Sequence, residues 1–222
     1  VRLSVTSTGI GVDNIDIVLN ELDAIVNIDF EKRLVKPSKT SLEIIRLGTS
    51  GSLQEDLPID TFLVSEYAIG LDGMLNFYRK KYDADEQALL AAFHQQIKYP
   101  KELPLPYIVA ANKSLFDLFA VGNRTGITAT ASGFYGPQGR KLRLETIFPE
   151  QNEVLSSFKH DSKRITNFEM ETSALYGLSA LLGHKAVTIC AIIANRYRKE
   201  FSEDPHQLIS ELIDQVLERL TR

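Results

Sequence analysis

An arginine inside an otherwise apolar run is the first residue of this chain that asks for a chemical explanation. Leu42-Glu43-Ile44-Ile45-Arg46-Leu47 reads as a strand, and Gly48-Thr49-Ser50-Gly51 reads as the turn that stops it. A guanidinium in a core strand must be paired or must face a ligand, because a buried unpaired charge is costly. Two explanations fit the segment: a salt bridge to one of the chain's carboxylates, or an oxyanion site. In the second, Arg46 offers a planar fork while the turn offers backbone N–H groups and a hydroxyl.

Two further clusters join it. Gln138 and Arg140 lie in a glycine- and proline-rich loop beside Phe134 and Tyr135. A surface turn with a solvated arginine would explain them, but an amide that donates and accepts, an arginine and neighbouring aromatics also suit the edge and face of a flat heterocycle. Glu169-Met170-Glu171 follows a short strand and opens a helix. The helix dipole favours carboxylates there without any function. The flanking sequence, however, implies that the two are unequally exposed, with one of them set to bind sugar hydroxyls.

Other chemistries lose support. The four histidines, His94, His160, His184 and His206, share no metal-ligand spacing, so no metal site is expected. Gly-x-Ser-x-Gly is absent, and no Ser-His-Asp arrangement can be assembled. Gly9-Ile10-Gly11 lacks the third glycine of a dinucleotide fingerprint, since Asn14 stands in its place. It is read as turn geometry that also lines a pocket.

The elements that must position these groups alternate between strand and helix. Arg2 to Thr8 alternates like a strand, and apolar spacing predicts a helix over Asn14 to Val26. Glu31 to Thr40 reads as a loop, and Ile59 to Tyr67 as a strand. Helices are predicted at Asp85 to Ile97, Ser114 to Ala120 and Thr172 to Leu182, the last ended by Gly183. Strands are predicted at Tyr107 to Ala110, Arg124 to Ala131, Ile165 to Phe168 and Ala186 to Ala194. A final helix starts at Asp204-Pro205 and carries Leu208, Ile209, Leu212, Ile213, Val216, Leu217 and Leu220 on one face. The alternation predicts an α/β layered fold around a parallel or mixed sheet.

The chain has 222 residues, 44% of them hydrophobic, enough for one substantial core, and residues 1–222 are expected to form a single domain. A net charge of −4 with interspersed signs recommends neither nucleic acid nor an anionic membrane as partner. The sole cysteine, Cys190, lies in an apolar run, which excludes an intrachain disulfide and fits a reducing cytosol. With no apolar stretch of membrane-spanning length and no leader pattern, a cytoplasmic location is expected. The chain opens at Val1 without Met, so the N-terminal portion of the natural protein is expected to be missing.

Five segments together resemble the uridine phosphorylase branch of the nucleoside phosphorylase superfamily. They are Ser7-Thr8-Gly9-Ile10-Gly11, Ile45-Arg46-Leu47-Gly48-Thr49-Ser50-Gly51, Phe134-Tyr135-Gly136-Pro137-Gln138-Gly139-Arg140, Asn167-Phe168-Glu169-Met170-Glu171-Thr172-Ser173-Ala174 and Ala194-Asn195-Arg196, in the family's order. The resemblance implies a three-layer fold with a central mixed sheet flanked by helices. It also implies phosphorolysis of uridine to uracil and α-ribose 1-phosphate in pyrimidine salvage, with inorganic phosphate as co-substrate and no cofactor.

By that resemblance Arg46 and Thr49 bind phosphate, and Arg46, Gln138 and Arg140 carry the catalysis. Ser50, Gly51, Phe134, Gln138, Arg140, Phe168, Ile192, Ile193 and Arg196 surround the base, with Arg196 holding the base-reading loop. Thr49, Glu169, Met170 and Glu171 face the ribose, Glu171 on its 2′ and 3′ hydroxyls. Purine-cleaving relatives carry a Ser-Asp pair after the late strand, whereas this chain has Ile193-Ala194-Asn195-Arg196. The family completes its phosphate site upstream of Val1 and borrows side chains from a second subunit, so the resemblance implies a homo-oligomer, from a dimer to a hexamer. A nucleosidase, a purine phosphorylase of the same fold and a silent nucleoside-binding protein are the alternatives.

Overall fold

The computed structural model describes residues 2–221. Apolar residues at Val12, Ile15 and Leu19 recur at helical spacing and are buried along one face of α1 (Val12–Asn27). A two-residue hairpin, β1 (Ile28–Asp29) with β2 (Leu34–Val35), interrupts the segment expected to be loop alone.

β3 (Glu43–Ser52) does not stop at the glycines. It runs through Gly48-Thr49-Ser50-Gly51 because β9 (Lys185–Asn195) pairs with it in parallel along its whole length, with a register shift between Ser50 and Gly51. The expected turn is therefore a bulged strand end, since a continuous ladder outweighs the weak strand preference of glycine. Arg2 to Thr8 is corrected in the opposite sense. Among the described residues no strand pairs with it, and alternation without a partner does not make a strand.

The other elements follow their local signals closely. β4 (Phe62–Gly70) leads to α2 (Ala84–Gln96), which opens on a capping box: Glu86 N–H donates to Asp83 Oδ1 at 2.8 Å and Asp83 N–H donates to Glu86 Oε2 at 3.1 Å. β5 (Tyr107–Ala110), α3 (Lys113–Ala120) and β6 (Arg124–Thr130) come next. The short α4 (Gln151–Ser157) and β7 (Lys159–His160) have no counterpart in the sequence reading. β8 (Lys163–Glu169) feeds α5 (Thr172–Leu182), which ends at Gly183 in the left-handed conformation, φ 82°. After β9 and β10 (Glu200–Phe201), α6 (Pro205–Thr221) is capped by Asp204, whose Oδ1 accepts from Gln207 N–H at 3.0 Å. Its buried stripe is narrower than expected: Leu208, Leu212 and Val216 are covered, while Ile213 and Leu217 remain exposed.

Apart from the β1-β2 hairpin, the strands form one mixed sheet in the order β10-β9-β3-β8-β6-β4-β5, with β7 paired to β8 off this path, flanked by helices as expected. β4 also pairs antiparallel with β9, so β9, β3, β8, β6 and β4 close on themselves. Closure leaves fewer open edges and gathers the ends of β3, β6, β8 and β9 at one rim. Apolar side chains of α1 and α5, of α2 and α4, and of α3 and α6 pack in three clusters against the strands. No helix among the described residues is long and apolar enough to cross a membrane.

Candidate active site

The rim holds two charged clusters. In the first, Arg46 reaches from β3 across to the end of β8: Nη1 lies 3.1 Å from Glu169 Oε2, and Nη2 is in close contact with Glu171 Oε2. Nη1 also donates to Cys190 Sγ at 3.8 Å. Of the two explanations open for Arg46, the salt bridge is present, with two carboxylates. Burial works against its charge, but Glu169, Cys190 and Glu171 hold the guanidinium protonated above its ordinary range.

Gly48 makes this arrangement possible. Strand alternation sets it on the face of Arg46 two residues on, and a Cβ there would fall 2.5 Å from Nη1 and 2.8 Å from Cζ. The guanidinium cannot give way easily, being pinned by two acids. Gly48→Ala is therefore expected to displace Arg46 and to cost about 1–3 kcal/mol of stability, measured as a lower denaturation midpoint.

Glu169 is more deeply engaged than a ribose contact would be. Its side chain is 2% exposed, and its two oxygens accept from Thr130 Oγ1 at 2.6 Å, Glu171 N–H at 2.9 Å, Thr172 N–H at 2.9 Å and Thr172 Oγ1 at 2.8 Å, besides Arg46. Its lone pairs are committed to Arg46, to Thr130 and to the first residues of α5. Glu171 is held more lightly. One oxygen accepts from Gly11 N–H at 2.7 Å and the other from Arg46. Burial raises its pKa, opposed by Arg46 and reinforced by Glu169. The Gly9-Ile10-Gly11 turn thus meets the cluster through Gly11, φ 93°, with Met170 beside it.

The second cluster centres on Gln138, which is buried in the loop after β6. Its Oε1 accepts from Arg140 Nη1 at 2.7 Å and from Arg196 Nη2, while Arg196 Nη1 donates to the Gln138 carbonyl at 2.8 Å. Arg140 lies over the Phe134 ring at 3.8 Å and Arg196 over Phe168 at 5.4 Å. Among the described residues no carboxylate lies within ion-pair distance of either guanidinium, and Arg196 Nε is buried without a partner. Burial, then the neighbouring Arg140 charge, brings the Arg196 pKa down to about 10. Two partly buried cations around one buried amide, with no internal counter-charge, suit an electron-rich or anionic ring edge.

Other expected residues are placed less directly. Thr49 pairs with Ala191 just before the bulge in β3, and a Cβ placed on Gly51 beyond it would come within 3.3 Å of Arg196 Nε. Ser50 Oγ accepts from Asn167 Nδ2 at 3.0 Å. Ile192 is buried with Leu57 and Leu63, and the partly buried Ile193 packs against the α3 and α6 cluster. The exposed Phe134 ring, expected against the base, carries the Arg140 guanidinium on one face.

Asn195 lies in the Ile193-Ala194-Asn195-Arg196 segment, where the resemblance leads one to expect the Ser-Asp pair of a purine-cleaving relative. Its Nδ2 donates to the carbonyls of Gln54 and Leu57, each at 2.9 Å, and its Oδ1 accepts from Arg198 N–H. Asn195→Asp would set a carboxylate against two carbonyls. A loss of about 1–3 kcal/mol is expected in urea denaturation.

A family model described as the phosphorylase superfamily matches residues 1–222. The chain belongs to that superfamily. Uridine phosphorylase of Thermococcus kodakarensis is 31% identical over 203 residues, covering 91% of this chain and 61% of the relative. A DeoD-type purine nucleoside phosphorylase of Oceanobacillus iheyensis is 27% identical, covering 86% of this chain and 63% of the relative. The chain thus spans less than two thirds of the length of these phosphorylases. Among solved structures, a Trypanosoma brucei nucleoside phosphorylase with uridine phosphorylase activity superposes with a TM-score of 0.85 at 30% identity, covering 97% of this chain and 78% of that one. Uridine phosphorylase from Schistosoma mansoni, at 22% identity and TM-score 0.61, covers 96% of this chain and 70% of that one and shares the fold.

Proposed function

We propose that this phosphorylase-superfamily chain cleaves uridine with inorganic phosphate, releasing uracil and α-ribose 1-phosphate. The observation that carries this reading is the convergence of Arg140 and Arg196 on Gln138 without a carboxylate partner. As the C1′–N1 bond breaks, its electron pair stays on the base, and the uracil ring becomes an anion spread over N1 and its two carbonyls. Preorganised donors at that edge act more strongly in the transition state than in the ground state, by about 3 kcal/mol for a well-aimed one.

The remaining roles follow from the first cluster. Arg46 presents phosphate to the face of C1′ opposite the base, with Thr49 in the same strand as the expected hydroxyl donor, and Glu171 takes the ribose hydroxyls. One displacement by a phosphate oxygen inverts C1′ and needs no covalent enzyme intermediate. The Asn195 side chain, committed to two carbonyls, disfavours purine cleavage because no acid stands ready to protonate a purine leaving group. The reading includes a homo-oligomer whose neighbouring subunit completes the site.

Uridine, thymidine and inosine incubated side by side, with and without phosphate, test the reading. Phosphate-dependent uracil release from uridine, with inosine untouched, is expected. Equal release without phosphate would assign a nucleosidase, and cleavage of inosine alone would assign a purine enzyme.

A further inference from the structure

On the reading above, Arg46 receives phosphate and Glu171 receives the sugar, yet in the ligand-free chain these two groups are bound to each other. The two acids on Arg46 are not equivalent. If Glu169 left, it would abandon the Glu171 and Thr172 N–H groups and the Thr130 and Thr172 hydroxyls, all in a buried setting where an unpaired donor is costly. Glu171 gives up only Gly11 N–H and Arg46.

We propose that Glu169 is a positioning residue that keeps Arg46 in place throughout, and that Glu171 is the exchangeable partner of Arg46. A tetrahedral dianion arriving at Arg46 displaces the Glu171 carboxylate and so frees it for the ribose hydroxyls. The inference rests on the phosphorolysis reading. A nucleoside binding alone must break the Arg46–Glu171 pair itself, whereas one binding after the anion finds the carboxylate already released. The two substrates therefore favour each other, reciprocally.

Calorimetric titration with sulfate as an unreactive tetrahedral dianion tests this without turnover. In the unaltered chain sulfate is expected to tighten uridine binding about tenfold and to leave the binding of uracil, which has no sugar, unchanged. Glu171→Gln is expected to abolish the sulfate effect on uridine. Glu169→Gln is expected to weaken sulfate binding while uracil binding holds. Should that variant not fold, Thr130→Val, which removes one donor from Glu169 and leaves both charges, is expected to shift sulfate affinity the same way.

A uridine affinity indifferent to sulfate, or uracil tightened as much as uridine, overturns the exchange and leaves phosphate-dependent cleavage standing. Unchanged sulfate affinity in the Glu169→Gln or Thr130→Val variant overturns the anchoring role. Failure of uridine to bind under any condition overturns the functional reading, and the exchange with it.

Discussion

Arg46→Ala is expected to lower the unfolding free energy by about 3–5 kcal/mol, because it leaves two buried carboxylates facing each other with no cation between them. The loss is larger than that of an exposed ion pair, since water cannot enter to screen the charges. Its pH dependence follows from Glu171. Burial already raises that carboxyl above its ordinary 4.5, with Arg46 the opposing influence, so the folded state of the variant binds the proton more tightly still. Below 4.5 the group is neutral in both states and costs nothing. As pH rises through the folded value, stability is lost. Urea denaturation at pH 5 and pH 8 is expected to show the greater deficit at pH 8. Adding Glu171→Gln to Arg46→Ala should restore part of the stability without activity, which separates the cost of the bare charges from the loss of the anion site. Equal deficits at both pH values, or no gain in the double variant, would contradict the assignment of the pair.

The route from sequence to this cluster was legible at the level of segments and not at the level of partners. Helical spacing, a terminal glycine and the Asp204-Pro205 start place α2, α5 and α6 because those signals are local, carried by residues within a turn or two of one another. That Arg46 had to be paired or liganded was readable from its apolar neighbours. Which acid pairs with it was not, since Glu171 lies 125 residues away and becomes a neighbour only when β3 and β8 align. The two acids differ for a similarly distant reason: Thr130, which helps saturate Glu169, arrives from β6. Ring closure between β4 and β9 is likewise a long-range register, invisible to periodicity. Where local reading erred, at Arg2 to Thr8 and at Gly48 to Gly51, the presence or absence of a ladder partner decided the outcome, and no pattern within the segment encodes it.

Arg140→Ala is expected to reduce kcat/KM for uridine about 10²–10³-fold while costing only about 1 kcal/mol of stability. The contrast follows from how the side chain is held. Arg140 is half-buried, stacks on an exposed Phe134 and donates to the Phe134 carbonyl and Gln138 Oε1. Its removal empties no core space, and Gln138 keeps both of its bonds from Arg196. Catalysis has no such reserve. With one guanidinium gone, the base edge keeps Arg196, whose charge is already disfavoured by burial, and the negative charge that grows on the departing ring loses its more accessible donor. Because that charge is small in bound uridine and large in the transition state, the loss should fall on kcat more than on KM. Arg140→Lys supplies charge without the planar fork and should recover only a small part of the rate. Steady-state kinetics at saturating phosphate, beside thermal unfolding of the same preparations, measure both quantities. A variant with unchanged kcat would mean that the leaving base is stabilised elsewhere, and the two-arginine edge would then be a structural device that rigidifies the loop.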